Sequence, residues 1–588
     1  MDDKQGVVNS ELNRERNTYS RTNSVLLYTV QESPPWYLCI LIGFQHLLTA
    51  LGSLISLPIL LSKFYCMDND YVALSEILCT VFFVSGIVTF MQTTFGIRLP
   101  ILQGTSISVL TSVISILSHP QWKCPYTEAR NKYGENVTFT DAGLPAVGSP
   151  EHQEIWHKRI REIQGALIVA SLFQMVIGFT GVMGFVLRYI GPLVITPTVT
   201  LVGLSLFRTG VEMASQQWWI ALMTILLITI FSQYFTNAKM PCFSCGNENS
   251  ETRFKLPLFT LFPVMLATLI SWGVCAVLTA AGALSENPGE WGYAARIDIR
   301  LHVLRNAKFF RFPYPGQWGL PTVTVASVFG VLAGVLAAMF KSIGDYYACA
   351  NVSGAPPPPA YAINRAILVE GLGNLLAGLW GTGQGTSSFS QNIGVIGITK
   401  VGSRLVFQVA ACIMIALGCL GKFGAVFASI PEPIVGGLFM VTFGMITGVG
   451  LSNLQHVDLN SPRNIFIVGV SLFLGLSIPV WMKENPNAIN TGSEVADQIL
   501  SVLLGTNMLV GALVAFVLDN TIQGTLEERG IIALLRKDIT TTETQITKQN
   551  VYWLPFIQER LNNISTLRYF PICPSFLKAR ENKAQTSN

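Results

Sequence analysis

Charge is what this chain has least of. Only 12% of its 588 residues are Asp, Glu, Lys or Arg, against 50% hydrophobic, with mean hydropathy +0.46. That excludes an ordinary soluble domain and is the composition of a membrane protein. The formal net charge of +4 is small and dispersed, which leaves no basic face for nucleic acid. The first 33 residues are polar and hold no apolar signal-peptide region, so the first apolar helix is expected to serve as the targeting signal. No nucleotide-binding loop, metal cluster or nucleophile constellation stands out, so an enzyme is not expected and no cofactor is implied. Cys242 and Cys245 form a C-x-x-C without a second pair, too little for a zinc site. The eleven cysteines lie mostly inside apolar runs as small packing groups; Cys66 and Cys124 fall in expected outer loops and could pair.

What is present is a series of apolar runs of helix-spanning length. They lie near 36–62, 73–96, 103–117, 164–186, 190–208, 216–234, 257–281, 321–349, 364–381, 389–400, 405–420, 432–451, 464–481 and 499–519. The reading is an all-α polytopic protein with 14 transmembrane helices, two of them short. An even number puts both termini on one side, and Arg98, Arg188, Lys239, Lys400, Arg404 and Arg463 in short loops favour the cytoplasm. The organisation follows: a disordered cytoplasmic tail 1–35, a first seven-helix unit 36–281 with an outer loop 118–163, an outer loop 282–320, a second seven-helix unit 321–519 and a cytoplasmic tail 520–588. Asn136-Val137-Thr138 is a glycosylation sequon on the expected outer face.

The two units share a pattern. Gly178, Gly181, Gly184 and Ile190 recur 240 residues later as Gly418, Gly421, Gly424 and Ile430, and a Pro follows each set. Seven crossings per unit would invert the second copy relative to the first. Chance spacing in Gly-rich helices is the plainer alternative.

The polar stretch Gly383–Arg404, GQGTSSFSQNIGVIGITKVGSR, interrupts the apolar second unit. An unpaired backbone amide inside a bilayer costs several kcal/mol, so such a stretch survives only against protein or a cavity. A short Gly-interrupted helix at membrane depth points to a transporter's binding site. An ordinary re-entrant crossing packed through small residues is the alternative.

Gln391-Asn392-Ile393-Gly394 followed by Thr399-Lys400 resembles the signature motif of the nucleobase–ascorbate transporter family, solute carrier family 23. SIGDYYACA (342–350), APPPP (355–359), AINR (362–365), FGMITGVGLSNLQ (443–455) and LDNTIQGTLEERG (518–530) resemble the same family. The similarity runs from about Pro35 to about Arg529. It implies 7+7 inverted repeats with a core and a gate domain, commonly a homodimer. It also implies sodium-coupled uptake of a nucleobase or ascorbate at the plasma membrane. Expected substrate contacts are Gln103, Gly104, Thr105, Lys341, Ser390, Gln391 and Asn392, with Asp345 for cation coupling. Partners are then a small-molecule substrate and the lipid bilayer.

Two departures from the family stand out. Lys341 occupies a position where the family usually has a substrate-contacting Glu. Its charge suits an anionic substrate, or replaces the coupling cation, or marks loss of transport. Ile107, Ser108 and Val109 replace an aromatic–small–aromatic run of the vitamin C transporters. Gln391, by contrast, stands where those transporters have Pro, and an amide suits the edge of a purine or pyrimidine. Nucleobase is therefore the first reading, ascorbate or another organic anion the second, and a transport-silent partner protein the third. Lys341 and Asp345 share one helix face. Ser388 and Ser390 add hydroxyls, Glu370 is read as a structural contact between core and gate, and Gln45 and His46 as packing groups.

Overall fold

The computed structural model describes residues 26–67, 70–127, 129, 143–183, 191–235, 240–241, 255–256, 259, 263–287, 290–485, 488–525, 527–530 and 549–554. Asn136, Gly184, Ile190, Cys242, Cys245 and most of both expected tails lie outside them.

Helices dominate. They are α1 (Trp36–Phe64), α2 (Tyr71–Thr94), α3 (Ile107–Leu117), α4 (Pro150–Thr180), α5 (Pro192–Leu204), α6 (Phe207–Ser215), α7 (Trp218–Thr229), α8 (Pro263–Ala280) and the short α9 (Leu301–Asn306). The second half adds α10 (Val325–Val352), α11 (Ala360–Trp380), α12 (Ser390–Thr399), α13 (Arg404–Gly418), α14 (Gly421–Ala428), α15 (Glu432–Ser452), α16 (Pro462–Glu484), α17 (Glu494–Leu504) and α18 (Asn507–Thr521). Among the described residues eight helices are long and apolar enough to cross a membrane, and three shorter apolar helices accompany them. The strands are β1 (Gln103–Thr105), β2 (Met240–Pro241), β3 (Lys255–Leu256) and β4 (Thr386–Ser388), paired antiparallel as β1–β4 and β2–β3.

Local chemistry sets the helix ends. Asp70, Ser149 and Thr324 accept backbone N–H groups at the starts of α2, α4 and α10. Gly181 and Gly381 close α4 and α11 at φ +71° and +69°, a conformation that penalises a Cβ. α4 has 31 residues, roughly 46 Å at 1.5 Å per residue, so its first turns project beyond a ~30 Å hydrocarbon layer.

Several expected boundaries move. The run 103–117 is not helical throughout, because Gln103–Thr105 is extended and the helix starts at Ile107. The expected loop 118–163 ends early, with residues from Pro150 already in α4. The run 499–519 breaks into two helices bent by 84°. Residues 26–35 belong to the ordered structure and not to a disordered tail. Leu27 N donates to Lys400 O (2.8 Å), Gly402 N to Tyr28 O (2.9 Å) and Ser403 Oγ to Glu32 O (2.6 Å).

The helices sort into two groups by what they pack against. α1–α4 and α10–α14 form one; α5–α8, α15, α16 and α18 form the other. Within the first group the halves interlock through glycine. A Cβ on Gly178 of α4 would come within 2.6 Å of Leu368 N on α11, and one on Gly418 of α13 within 2.5 Å of Phe83 N on α2. These two glycines are one of the pairs separated by 240 residues. Each allows the backbone approach on which helix packing in lipid depends. Cys66 at the end of α1 is disulfide-bonded to Cys124, with Cα atoms 5.6 Å apart.

Candidate functional site

β1 leads into α3 and β4 leads into α12. The strands pair antiparallel in the register Gln103–Ser388, Gly104–Ser387 and Thr105–Thr386, so the two short helices leave opposite ends of one ladder. The ladder satisfies backbone groups that helix would otherwise have satisfied, as a low-dielectric surrounding requires. Gly104 is needed there: a Cβ would lie 2.5 Å from the Phe389 ring. α12 begins at Ser390 after Phe389, whose side chain makes no cap, so the first-turn N–H groups lack one partner a capped helix has.

α10 brings the charged pair to this ladder. Lys341 Nζ donates to Ser388 O at 2.6 Å and lies 3.1 Å from Asp345 Oδ2. Asp345 also accepts from Ser388 Oγ (2.5 Å) and, through Oδ1, from Ser390 Oγ (2.8 Å). The i,i+4 spacing thus yields the expected pair. The Lys341 side chain is 27% exposed and that of Asp345 only 10%. An unpaired charge at the centre of a membrane helix costs about 3 kcal/mol on insertion scales, which explains why each is matched.

The remaining expected contacts divide. Gln103 is fully buried, and both its amide atoms lack a partner. Thr105 Oγ1 donates to Ser53 O (3.2 Å), and Gln391 Nε2 donates to Ser53 Oγ (3.2 Å). Asn392 donates to His46 O at 2.7 Å, which makes it a strut between α12 and α1 with its own carbonyl oxygen left over. His46 supports that strut and packs 4.2 Å, centroid to centroid, from Phe407.

Glu370 requires a correction. It does not join the two helix groups; it is fully buried inside the first, on α11. It accepts from Ser342 Oγ (2.9 Å) and Tyr346 OH (2.7 Å), one step behind the Lys341 face. Ser342 Oγ in turn accepts from Ser388 N at 3.5 Å and lies 3.1 Å from Ser388 Oγ, so Glu370, Ser342, Ser388 and Asp345 form one continuous network. Sequence reasoning missed Ser53, Ser342 and Gln384. Gln384, just before β4, is buried with both amide atoms unpartnered. Ser342 is adjacent to Lys341, but nothing in its spacing announced the contact with Glu370. Asn136 falls outside the described residues.

A ladder joining two short helices, buried amides without partners and a matched charge pair on the apolar helix α10 are what a polytopic membrane transporter is built from, and this chain belongs to the permease family, whose model matches residues 38–484. It is 48% identical to the human "Solute carrier family 23 member 2" over 94% of this chain and 83% of that protein. It is 47% identical to the mouse "Solute carrier family 23 member 1" over 94% of this chain and 89% of the relative. The Arabidopsis thaliana "Nucleobase-ascorbate transporter 1" is 35% identical over 93% of this chain and 97% of that protein.

Proposed function

We propose that the chain is a secondary active transporter of nucleobases such as uracil or xanthine. In this reading the Lys341 ammonium supplies, at Asp345, the positive charge that a symporter takes from sodium. The observation that carries this is the position of Lys341 Nζ between Ser388 O and Asp345 Oδ2, a set of hard oxygens suited to a cation. The amides of Gln103 and Gln391 offer paired donors and acceptors to a heterocycle edge. Sodium symport, the coupling implied by the resemblance, requires Asp345 to release Lys341. The second reading, a sodium-coupled ascorbate or organic-anion carrier, is favoured by the 27% exposure of the Lys341 side chain. Its partly open ammonium can face an anion.

The architecture proposed with this function has 14 membrane segments in 7+7 inverted repeats, α1–α4 and α10–α14 forming the moving core and the rest the gate. The matched packing of Gly178 and Gly418 supports it. A homodimer in the plasma membrane, cytoplasmic termini and glycosylation at Asn136 belong to the same proposal.

The test is uptake of labelled uracil, xanthine, urate and ascorbate in expressing cells, with sodium and with choline in its place, for wild type and Lys341→Glu. The expected result is nucleobase uptake indifferent to sodium in the wild type and dependent on it in the variant. Sodium-dependent ascorbate uptake by the wild type selects the second reading. No uptake of any compound by surface-expressed wild type selects a transport-silent protein.

A further inference from the structure

The end of the molecule away from the Cys66–Cys124 disulfide holds a polar cavity whose walls share no residue with the Lys341–Asp345 site. Its volume is about 190 Å³, and its walls come from Thr93 and Thr94 at the end of α2, Arg98 after it, Ser403, Arg404 and Gln408 at the start of α13, and the segment 30–33.

Positive charge collects there without an ion pair to answer it among the described residues. Arg98 is 8% exposed and its Nε has no hydrogen-bond partner. Burial, then repulsion from Arg404 and Arg365, pulls its guanidinium down to about 9. Arg404 reaches Val551 O at 3.4 Å, a contact with a neutral carbonyl. Among the described residues neither Arg98 nor Arg404 forms an ion pair. Glu32, the one acid in the wall, accepts instead from Thr29 N at 2.7 Å. The fifteen-residue α13 starts in the same cavity. Its N-cap Ser403 makes no side-chain cap, because Ser403 Oγ donates to Glu32 O.

Two guanidiniums, one with a buried unsatisfied N–H, and the N-terminus of a helix converge on one space. Each feature favours an anion, and planar guanidinium forks match tetrahedral oxyanions in particular.

We propose that this cavity binds a phosphate-bearing anion, either free phosphate or the headgroup of an anionic lipid. Occupancy would relieve the mutual repulsion of the arginines and fix the segment 26–33 against the end of α12. The site lies apart from Lys341 and Asp345, so its failure would leave the transport reading untouched.

The test uses the purified full-length chain and reads its thermal unfolding midpoint. One arm adds inorganic phosphate; the other compares nanodiscs of phosphatidylcholine with nanodiscs that also contain a phosphoinositide. The variants are Arg98→Gln, which removes the charge, and Ser33→Glu, an exposed wall position where a carboxylate competes with the anion without disturbing the interior. The expected result is a rise in the midpoint with at least one probe, abolished in both variants. A rise with inorganic phosphate identifies a free anion, and a rise with phosphoinositide alone identifies a headgroup. If Arg98→Gln does not fold, Ser33→Glu decides by itself. No rise with either probe, or an equal rise in a folded variant, overturns the proposal.

Discussion

Lys341 Nζ approaches the carbonyl oxygen of Ser388 to 2.6 Å, where β4 ends and α12 is about to begin. One ammonium therefore caps a backbone break and neutralises Asp345. A Glu at position 341 would repel both oxygens unless a cation stood between them.

The first prediction concerns that pair. Lys341→Met leaves the Asp345 carboxylate buried and unmatched, so a loss of about 3–5 kcal/mol is expected. Lys341→Met with Asp345→Asn should recover a substantial part, because the uncompensated charge is gone. Unfolding midpoints of the purified proteins measure this. A double variant as unstable as the single one would mean that the charges are not coupled.

A second prediction is set at the junction of the two helix groups. Glu432 at the start of α15 meets Lys63 near the end of α1 at 2.8 Å, with Arg300 at 3.3 Å and Gln216 at 3.0 Å. This links one helix group to the other through a partly exposed pair with Lys63 and a buried one with Arg300. Lys63→Glu should impair uptake by placing like charges together, and Lys63→Gln, which removes the attraction without adding repulsion, should impair it less. Equal impairment in the two variants refutes the electrostatic link.

The third prediction is a redox one. The Cys66–Cys124 bond closes a chain segment of 58 residues. Constraint of the unfolded chain on that scale contributes about 2–4 kcal/mol. Reduction, or Cys66→Ser, should lower the unfolding midpoint, and reductant should then have no further effect on the variant.

A fourth prediction turns on pH. Burial of the His119 ring, in the loop after α3, lowers its pKa from the ordinary value of 6.5. The folded state thus favours the neutral ring. Its contribution is fully present above the unfolded value and fades as pH falls below about 6.5. Stability should decline between pH 7 and 5 more steeply in the wild type than in His119→Gln, measured by unfolding at each pH. Parallel slopes would exclude His119 as the cause.

Much of this architecture was legible in the sequence, for a definite reason. Bilayer thickness forces long apolar runs, and those runs landed on helices. The i,i+4 spacing of Lys341 and Asp345 fixed their pairing, and the polar interruption at 383–404 marked the break. What the sequence hid was long-range. Gln103 lies in an apolar context and reads as helix, because its strand partner Ser388 is 285 residues away. Glu370 looked like a boundary contact, since Ser342 and Tyr346 reach it only through tertiary packing. Residues 26–34 read as tail because they carry no periodicity; their order comes from the edge at 400–404. The bend between α17 and α18 fell inside an apolar run, where hydrophobicity carries no directional signal.

The Gln103–Ser388 ladder also ties α3 and α12 together at their starts. Neither short helix can slide past the other without giving up backbone hydrogen bonds that nothing nearby replaces, so a change that displaces one should be felt at the start of the other.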